Sequence, residues 1–146
     1  MIRKTLGLTA EELENIASIW LSANLDSHAF ITGSYWENQL EAVKNVLPEA
    51  VIYLAELDQE IVGFAGVIDQ SIAGIFLKKE YRHQKIGTQL IQKIKEDHDA
   101  LTLTVYQKNQ SAFHFYLSQG FTIQAQQIDE AVNEQEFVME WRKRSN

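Results

Sequence analysis

Apolar positions recur along this chain at two intervals, and the interval changes near residue 50. Leu13, Ile16, Ala17, Trp20 and Leu21 are spaced three and four apart, the period of an amphipathic helix. Thr9 precedes Glu12 by three, a capping-box spacing that sets the start of that helix. Residues 23–33 carry Asn24, Asp26, Ser27, Thr32 and Gly33 and read as a loop, which also holds His28, Phe30 and Ile31. Ser34 and Glu37 repeat the capping-box spacing before a second stripe of Trp36, Leu40, Val43 and Leu47, and Pro48 stops that helix. Ahead of both, residues 2–6 predict a short strand.

Beyond residue 50 the pattern turns β-rich. Residues 51–57 and 61–68 predict a hairpin closed by Asp58-Gln59, although the usual turn glycine is missing. Asp69-Gln70 then turns into a third strand over 72–77. Ile86, Leu90, Ile91 and Ile94 return to the helical period, and Leu101, Leu103 and Val105 alternate with Thr102, Thr104 and Tyr106 as a half-buried strand does. A fourth helix over 109–118 would turn Asn109, Ala112, Phe113, Tyr116 and Leu117 inward, with Gly120 ending it in the left-handed conformation. Residues 121–128 and 136–141 finish as strands. This order predicts an α/β (α+β) fold, a mixed sheet with helices on both faces.

Composition narrows the function. The 146 residues suit one domain, 1–146, without a linker, repeat or low-complexity tract. Thirteen Lys and Arg against twenty Asp and Glu leave a net charge of −7, which argues against nucleic acid as the main partner. The absence of cysteine removes disulfides, cysteine-rich zinc sites and a thiol nucleophile, and fits a cytoplasmic address. No stretch reaches the roughly 18 apolar residues of a membrane span, and the first residues lack the pattern of a secretory signal. No membrane partner is expected. The basic residues 142–144, with Ser145 and Asn146, read as a solvated end. The histidines show no metal-binding spacing, so no metal is expected.

Two stretches carry chemistry. In Ile75 to Leu90 a strand ends, a polar loop follows and a helix begins, with Lys78, Lys79, Arg82 and Lys85 gathered in an acidic chain. A helix N-terminus with free N–H groups is a natural anion site. Gly87 in its first turn lets backbone approach a ligand, but a solvated loop with a packing glycine explains the same residues equally well. In Val105 to Phe121, Asn109 caps a helix and Tyr116 lies two turns along the same face. On its own this stretch is explained as well by core aromatics.

Together the two stretches resemble the GNAT superfamily of acetyl-CoA-dependent N-acetyltransferases, and within it the small bacterial YjaB/YiaC-type enzymes. The family's Arg/Gln-x-x-Gly-x-Gly/Ala loop corresponds to Arg82-His83-Gln84-Lys85-Ile86-Gly87, with Lys85 in place of the first glycine and His83 where another is common. Val105-Tyr106, Asn109, Ala112, Phe115-Tyr116 and Gly120-Phe121 follow the later motif. Ile19-Trp20, the run from His28 to Ile31, and Tyr35-Trp36 add to the likeness.

The resemblance implies about seven strands, with the fourth and fifth splayed apart to admit a thioester. Pantetheine would run beside Ile75, Phe76 and Leu77. Pyrophosphate would meet Arg82, His83, Gln84, Lys85, Ile86, Gly87 and Thr88. Asn109 would bond the pantetheine arm, and Tyr116 would stand near the sulfur as general acid. A backbone N–H at Phe76 or Leu77 would serve the oxyanion. His28, Phe30, Tyr35 and Trp36 would face the acceptor. No Glu lies on the strand where the family often places its base, so His28, Glu56, Asp69 and a water chain are the candidates. Lys85 either crowds the pyrophosphate or adds a cation to it; we expect the second.

The implied reaction is direct transfer from acetyl-CoA to a primary amine, of a small molecule or a protein, in a ternary complex. A CoA-binding module of the same fold with little turnover is the alternative. Either a monomer or a homodimer fits.

Overall fold

The computed structural model describes residues 1–144. Seven strands form one sheet: β1 (Ile2–Thr5), β2 (Val51–Leu57), β3 (Glu60–Ile68), β4 (Ser71–Leu77), β5 (Ala100–Tyr106), β6 (Thr122–Asp129) and β7 (Glu134–Arg142). Their spatial order is β1-β2-β3-β4-β5-β7-β6, and every neighbouring pair is antiparallel except β4–β5. Four helices cover the sheet: α1 (Ala10–Ser27), α2 (Gly33–Val46), α3 (Ile86–Glu96) and α4 (Gln110–Ser118). No helix among the described residues is long and apolar enough to cross a membrane.

Strand alternation divides the core in two. Tyr53 and Ala55 of β2 face a cluster with Leu90, Ile91 and Ile94 of α3 and Tyr116 of α4. Ile52 and Leu54, on the opposite face of the same strand, pack with Ile16 and Ile19 of α1. Helices therefore stand on both faces, as predicted. The Asp58-Gln59 turn forms without glycine because both residues take positive φ, 51° and 67°, as a two-residue primed turn requires.

The structure corrects the sequence reading at four places. α1 continues through Ser27, so residues 23–27 are helix. Asn24 looked like a loop residue, yet its amide donates to the Trp20 carbonyl and the side chain is buried inside the helix. The capping box at Thr9 and Glu12 forms, with bonds of 2.9 and 3.1 Å, but the one expected at Ser34 and Glu37 does not. α2 starts two residues earlier, with Thr32 as its N-cap, and the Ser34 hydroxyl reaches only the Thr32 hydroxyl. Leu117 is 41% exposed, because α4 turns Tyr116 to the core instead. Finally, Arg142 belongs to β7 and pairs with Glu140; Ser145 and Asn146 of the expected solvated end lie outside the described residues.

The feature that shapes the site is the parting of β4 from β5. They pair only at Ser71 and Thr102, after which the strands separate. On its other side β4 stays paired with β3 and carries a bulge, since Gly66 opposes Gly74 while Val67 opposes Ile72. Gly63 of β3 lets the two strands meet closely: a Cβ there would stand 2.4 Å from Leu77 Cδ2 and 2.9 Å from the Phe76 carbonyl oxygen. We expect Gly63→Ala to lower stability by about 1–3 kcal/mol, read as a lower denaturant midpoint. Gly66→Ala, whose Cβ would meet only Ile52 Cδ1 at 3.6 Å, should be tolerated far better.

Candidate functional site

A cavity of about 800 Å³ opens beside the free end of β4. Its walls are Ile75, Phe76 and Leu77, the loop and first turn of α3, the inward face of α4 and the last turn of α1. Of the residues expected to hold the cofactor, Ile75, Phe76, Leu77, Arg82, His83, Lys85, Ile86, Gly87, Thr88, Asn109 and Tyr116 line it. Gln84 does not; it is exposed, with its amide donating back to the Glu80 carbonyl at 3.3 Å.

The loop before α3 has an uncommon backbone. His83 and Lys85 both take φ of 66°, the left-handed region where a side chain is strained and glycine is free. These are the two positions where the resembling family commonly has glycine. Lys85 is the N-cap of α3 and makes no side-chain cap, whereas Thr9 and Asn109 cap α1 and α4. The first N–H groups of α3 therefore lack the partner that a capping side chain supplies. Gly87 lines the cavity and is also a packing glycine, the alternative that its sequence position left open. A Cβ there would stand 3.3 Å from Phe115 Cζ, so its bare backbone accommodates an aromatic ring of α4. Arg82 is ion-paired with Asp26 from the end of α1, and this guanidinium holds the Asp26 carboxyl below its usual range. Asp26 was missed in the sequence because it lies 56 residues from its partner.

At the other end of the cavity Tyr116 is buried, packed edge-on against Phe115 and Phe121. Burial pushes its phenol well above the usual range, so the group stays protonated. Asn109 accepts from the Ala112 N–H at 3.2 Å, and its amide meets His28 Nε2 at 2.9 Å. His28 Nδ1 lies 2.8 Å from Asn24 Oδ1. Asn24 thus belongs to the site, and its i, i+4 spacing to His28 was the available signal.

His28 caps the end of α1 and lines the cavity. Phe30, Tyr35 and Trp36 stand behind it and are not part of the lining. Trp36 stacks on the His28 ring at 5.4 Å, Phe30 meets it edge-on at 5.6 Å, and Tyr35 packs on Trp36 at 5.0 Å. Tyr106 at the end of β5, also missed, meets His28 at 5.1 Å and donates to Asp129 at 2.7 Å. The other two candidate bases lie elsewhere. Glu56 is engaged by Arg3 at 2.7 Å on β2. Asp69 sits in the turn before β4, at the strand end opposite the cavity.

Comparison with known proteins places the family and the fold. Residues 48–123 match the model of the acetyltransferase (GNAT) domain. The chain is 34% identical over 114 residues to the peptidyl-lysine N-acetyltransferase YiaC of Escherichia coli (strain K12), spanning 77% of this chain and 78% of that one. It is 32% identical to the peptidyl-lysine N-acetyltransferase YjaB of Salmonella typhimurium, over 77% and 79% of the two chains. The solution structure of apo YjaB from Escherichia coli superposes with a TM-score of 0.83 at 23% identity, covering 99% and 98%. The PaiA N-acetyltransferase of Thermoplasma acidophilum, solved with coenzyme A, gives 0.79 at 22% identity, covering 97% and 99%.

Two measurements test the electrostatics. Lys85→Gly should raise stability by about 1 kcal/mol by relieving the left-handed strain, yet weaken CoA binding by up to about tenfold through loss of a cation. Thermal melting and calorimetric titration should therefore move in opposite directions. Burial lowers the His28 pKa from 6.5 to about 4. The unfolded chain then binds the proton more readily, so this contribution is full above pH 6.5 and lost as pH falls toward 4. The loss should be on the order of 2 kcal/mol, and denaturation at a series of pH values should show it absent in His28→Gln.

Proposed function

The chain belongs to the GNAT acetyltransferase family, whose members move an acetyl group from acetyl-CoA to an amine, and we propose that its acceptor is the side-chain amine of a protein lysine. The parted β4–β5 pair carries the transferase reading. It leaves the β5-facing backbone of residues 73–77 without a strand partner among the described residues, beside a cavity with distinct ends. An extended amide-bearing arm fits that edge. A polyanion fits the uncapped start of α3, with Arg82, His83 and Lys85 around it. Asn109 and Tyr116 stand at the other end. These residues suit acetyl-CoA, which when bound supplies the acetyl group as a reactive thioester.

The side chains divide the work. Asn109 binds the arm through its carboxamide. Arg82 exchanges its Asp26 partner for phosphate, and Lys85 adds charge from its strained cap position. A backbone N–H at Phe76 or Leu77 is the donor for the carbonyl oxygen. Tyr116 keeps its proton at neutral pH and gives it to the departing sulfur. No cysteine is available to carry the acetyl group, which supports direct transfer in a ternary complex. The amine must shed a proton before it attacks. Of the predicted side-chain bases only His28 reaches the cavity, and its Nε2 is already engaged by Asn109; the remaining candidate, a chain of water to bulk solvent, takes the proton.

Protein lysine as acceptor is supported by the two peptidyl-lysine relatives above 30% identity. Outside the cavity lining, the half-buried Phe30, Tyr35 and Tyr106 with the Asp129 carboxylate form a setting suited to an aliphatic stem with a cation.

Incubation with acetyl-CoA and lysine-containing peptides should release thiol and add one acetyl mass to the lysine. CoA binding without turnover on any peptide or small amine would instead favour the binding module. Tyr116→Phe should lower kcat by about 10²-fold or more while CoA affinity changes little. Equal turnover in that variant would remove Tyr116 from the mechanism.

A further inference from the structure

Asn24, His28 and Asn109 form one hydrogen-bonded chain, and backbone groups fix both of its ends. Asn24 is 3% exposed. Its amide nitrogen donates to the Trp20 carbonyl at 2.9 Å. A carbonyl only accepts, so the carboxamide oxygen must face His28 Nδ1, 2.8 Å away. That oxygen also only accepts, so Nδ1 carries the proton. At the far end the Ala112 N–H donates to Asn109 Oδ1 at 3.2 Å. A backbone N–H only donates, so Asn109 turns its amide nitrogen to His28 Nε2 at 2.9 Å. Nε2 must then be the bare nitrogen. The two backbone anchors allow one arrangement, a neutral imidazole protonated on Nδ1. Trp36 stacked on one side and Tyr106 edge-on hold the ring in that plane.

We propose that Asn24 and His28 are positioning residues that hold the Asn109 carboxamide for the cosubstrate. One Asn109 N–H is tied to His28 and one oxygen lone pair to Ala112. The second N–H and the second lone pair remain for an amide of the ligand in the cavity that Asn109 lines. In this role His28 is not the base. Its one available lone pair is already accepting, and a proton on Nε2 would point an N–H at the Asn109 amide hydrogens. The inference rests on the reading of the cavity as the acetyl-CoA site.

The test combines nitrogen-15 NMR of the histidine rings with CoA titration calorimetry and steady-state kinetics. In the wild type, His28 should keep its proton on Nδ1 from pH 5 to 8, with and without CoA. Asn24→Ala should release the ring into a mixture of tautomers. His28→Ala should weaken CoA binding by about three- to tenfold, the worth of one hydrogen bond. His28→Gln places an amide oxygen near the Nε2 position and should restore both affinity and turnover to within about threefold. Two results would overturn the inference while leaving the cavity reading intact: CoA affinity unchanged in His28→Ala with turnover lost in both variants, or a proton moving to Nε2 in the CoA complex. The first would make His28 the base; the second would make Nε2 a donor and break its bond to the Asn109 amide. Failure of the wild type to bind CoA would overturn the cavity reading and this inference with it.

Discussion

The parallel pair β4–β5 bonds at Ser71 and Thr102 and then separates, and the functional architecture depends on that separation. Strand backbone wants a partner on each side, because unpaired N–H and C=O groups are costly when buried. Here the β5 side of β4 is left without one, and the gap becomes a cavity. The cost is contained because β3 holds the other edge throughout and the bulge bends β4 away early. It shows in the burial of the strand: β3 is buried over almost its whole length, whereas β4 is only half-buried from Gly74 to Leu77 despite an equally apolar sequence.

Around the gap, each wall comes from an element held by a different part of the core. α3 is anchored through Leu90, Ile91 and Ile94, which places its uncapped first turn at one end of the cavity. α4 is anchored through Tyr116, one residue serving both core and cleft. α1 packs on the opposite face of the sheet through Ile16 and Ile19, and its last turn reaches round to contribute Asn24, Asp26 and His28. The charge pair Asp26–Arg82 and the bond His28–Asn109 are two of the links between that turn and the elements across the cavity.

The loop before α3 shows how a departure from a motif is absorbed. Where glycine would adopt positive φ freely, His83 and Lys85 adopt it under strain. Both residues hold the left-handed conformation that glycine adopts freely, and they bring two side chains to the cavity edge beside the uncapped first turn of α3.

Much of this was legible in the sequence. Periodicity located all seven strands and four helices, because burial on one face imposes a period that residue types record. The loop at 82–87 and the helix from Asn109 to Tyr116 were readable as motifs, since the chemistry there depends on residues close in sequence. Other features belong to tertiary structure alone. The spacing of Asn24 from Trp20 and His28, four residues each way, is local, but its burial is not: the side chain is enclosed because the last turn of α1 lies against the elements that line the cavity. Glu56 and Asp69 were reasonable bases by residue type and were displaced by sheet geometry, which puts one beside Arg3 and the other at the wrong end of β4. The state of His28 was decided by partners four and 81 residues away. A sequence specifies which groups exist and which face of an element they occupy. Which proton and which lone pair remain available depends on contacts that only the folded chain brings together.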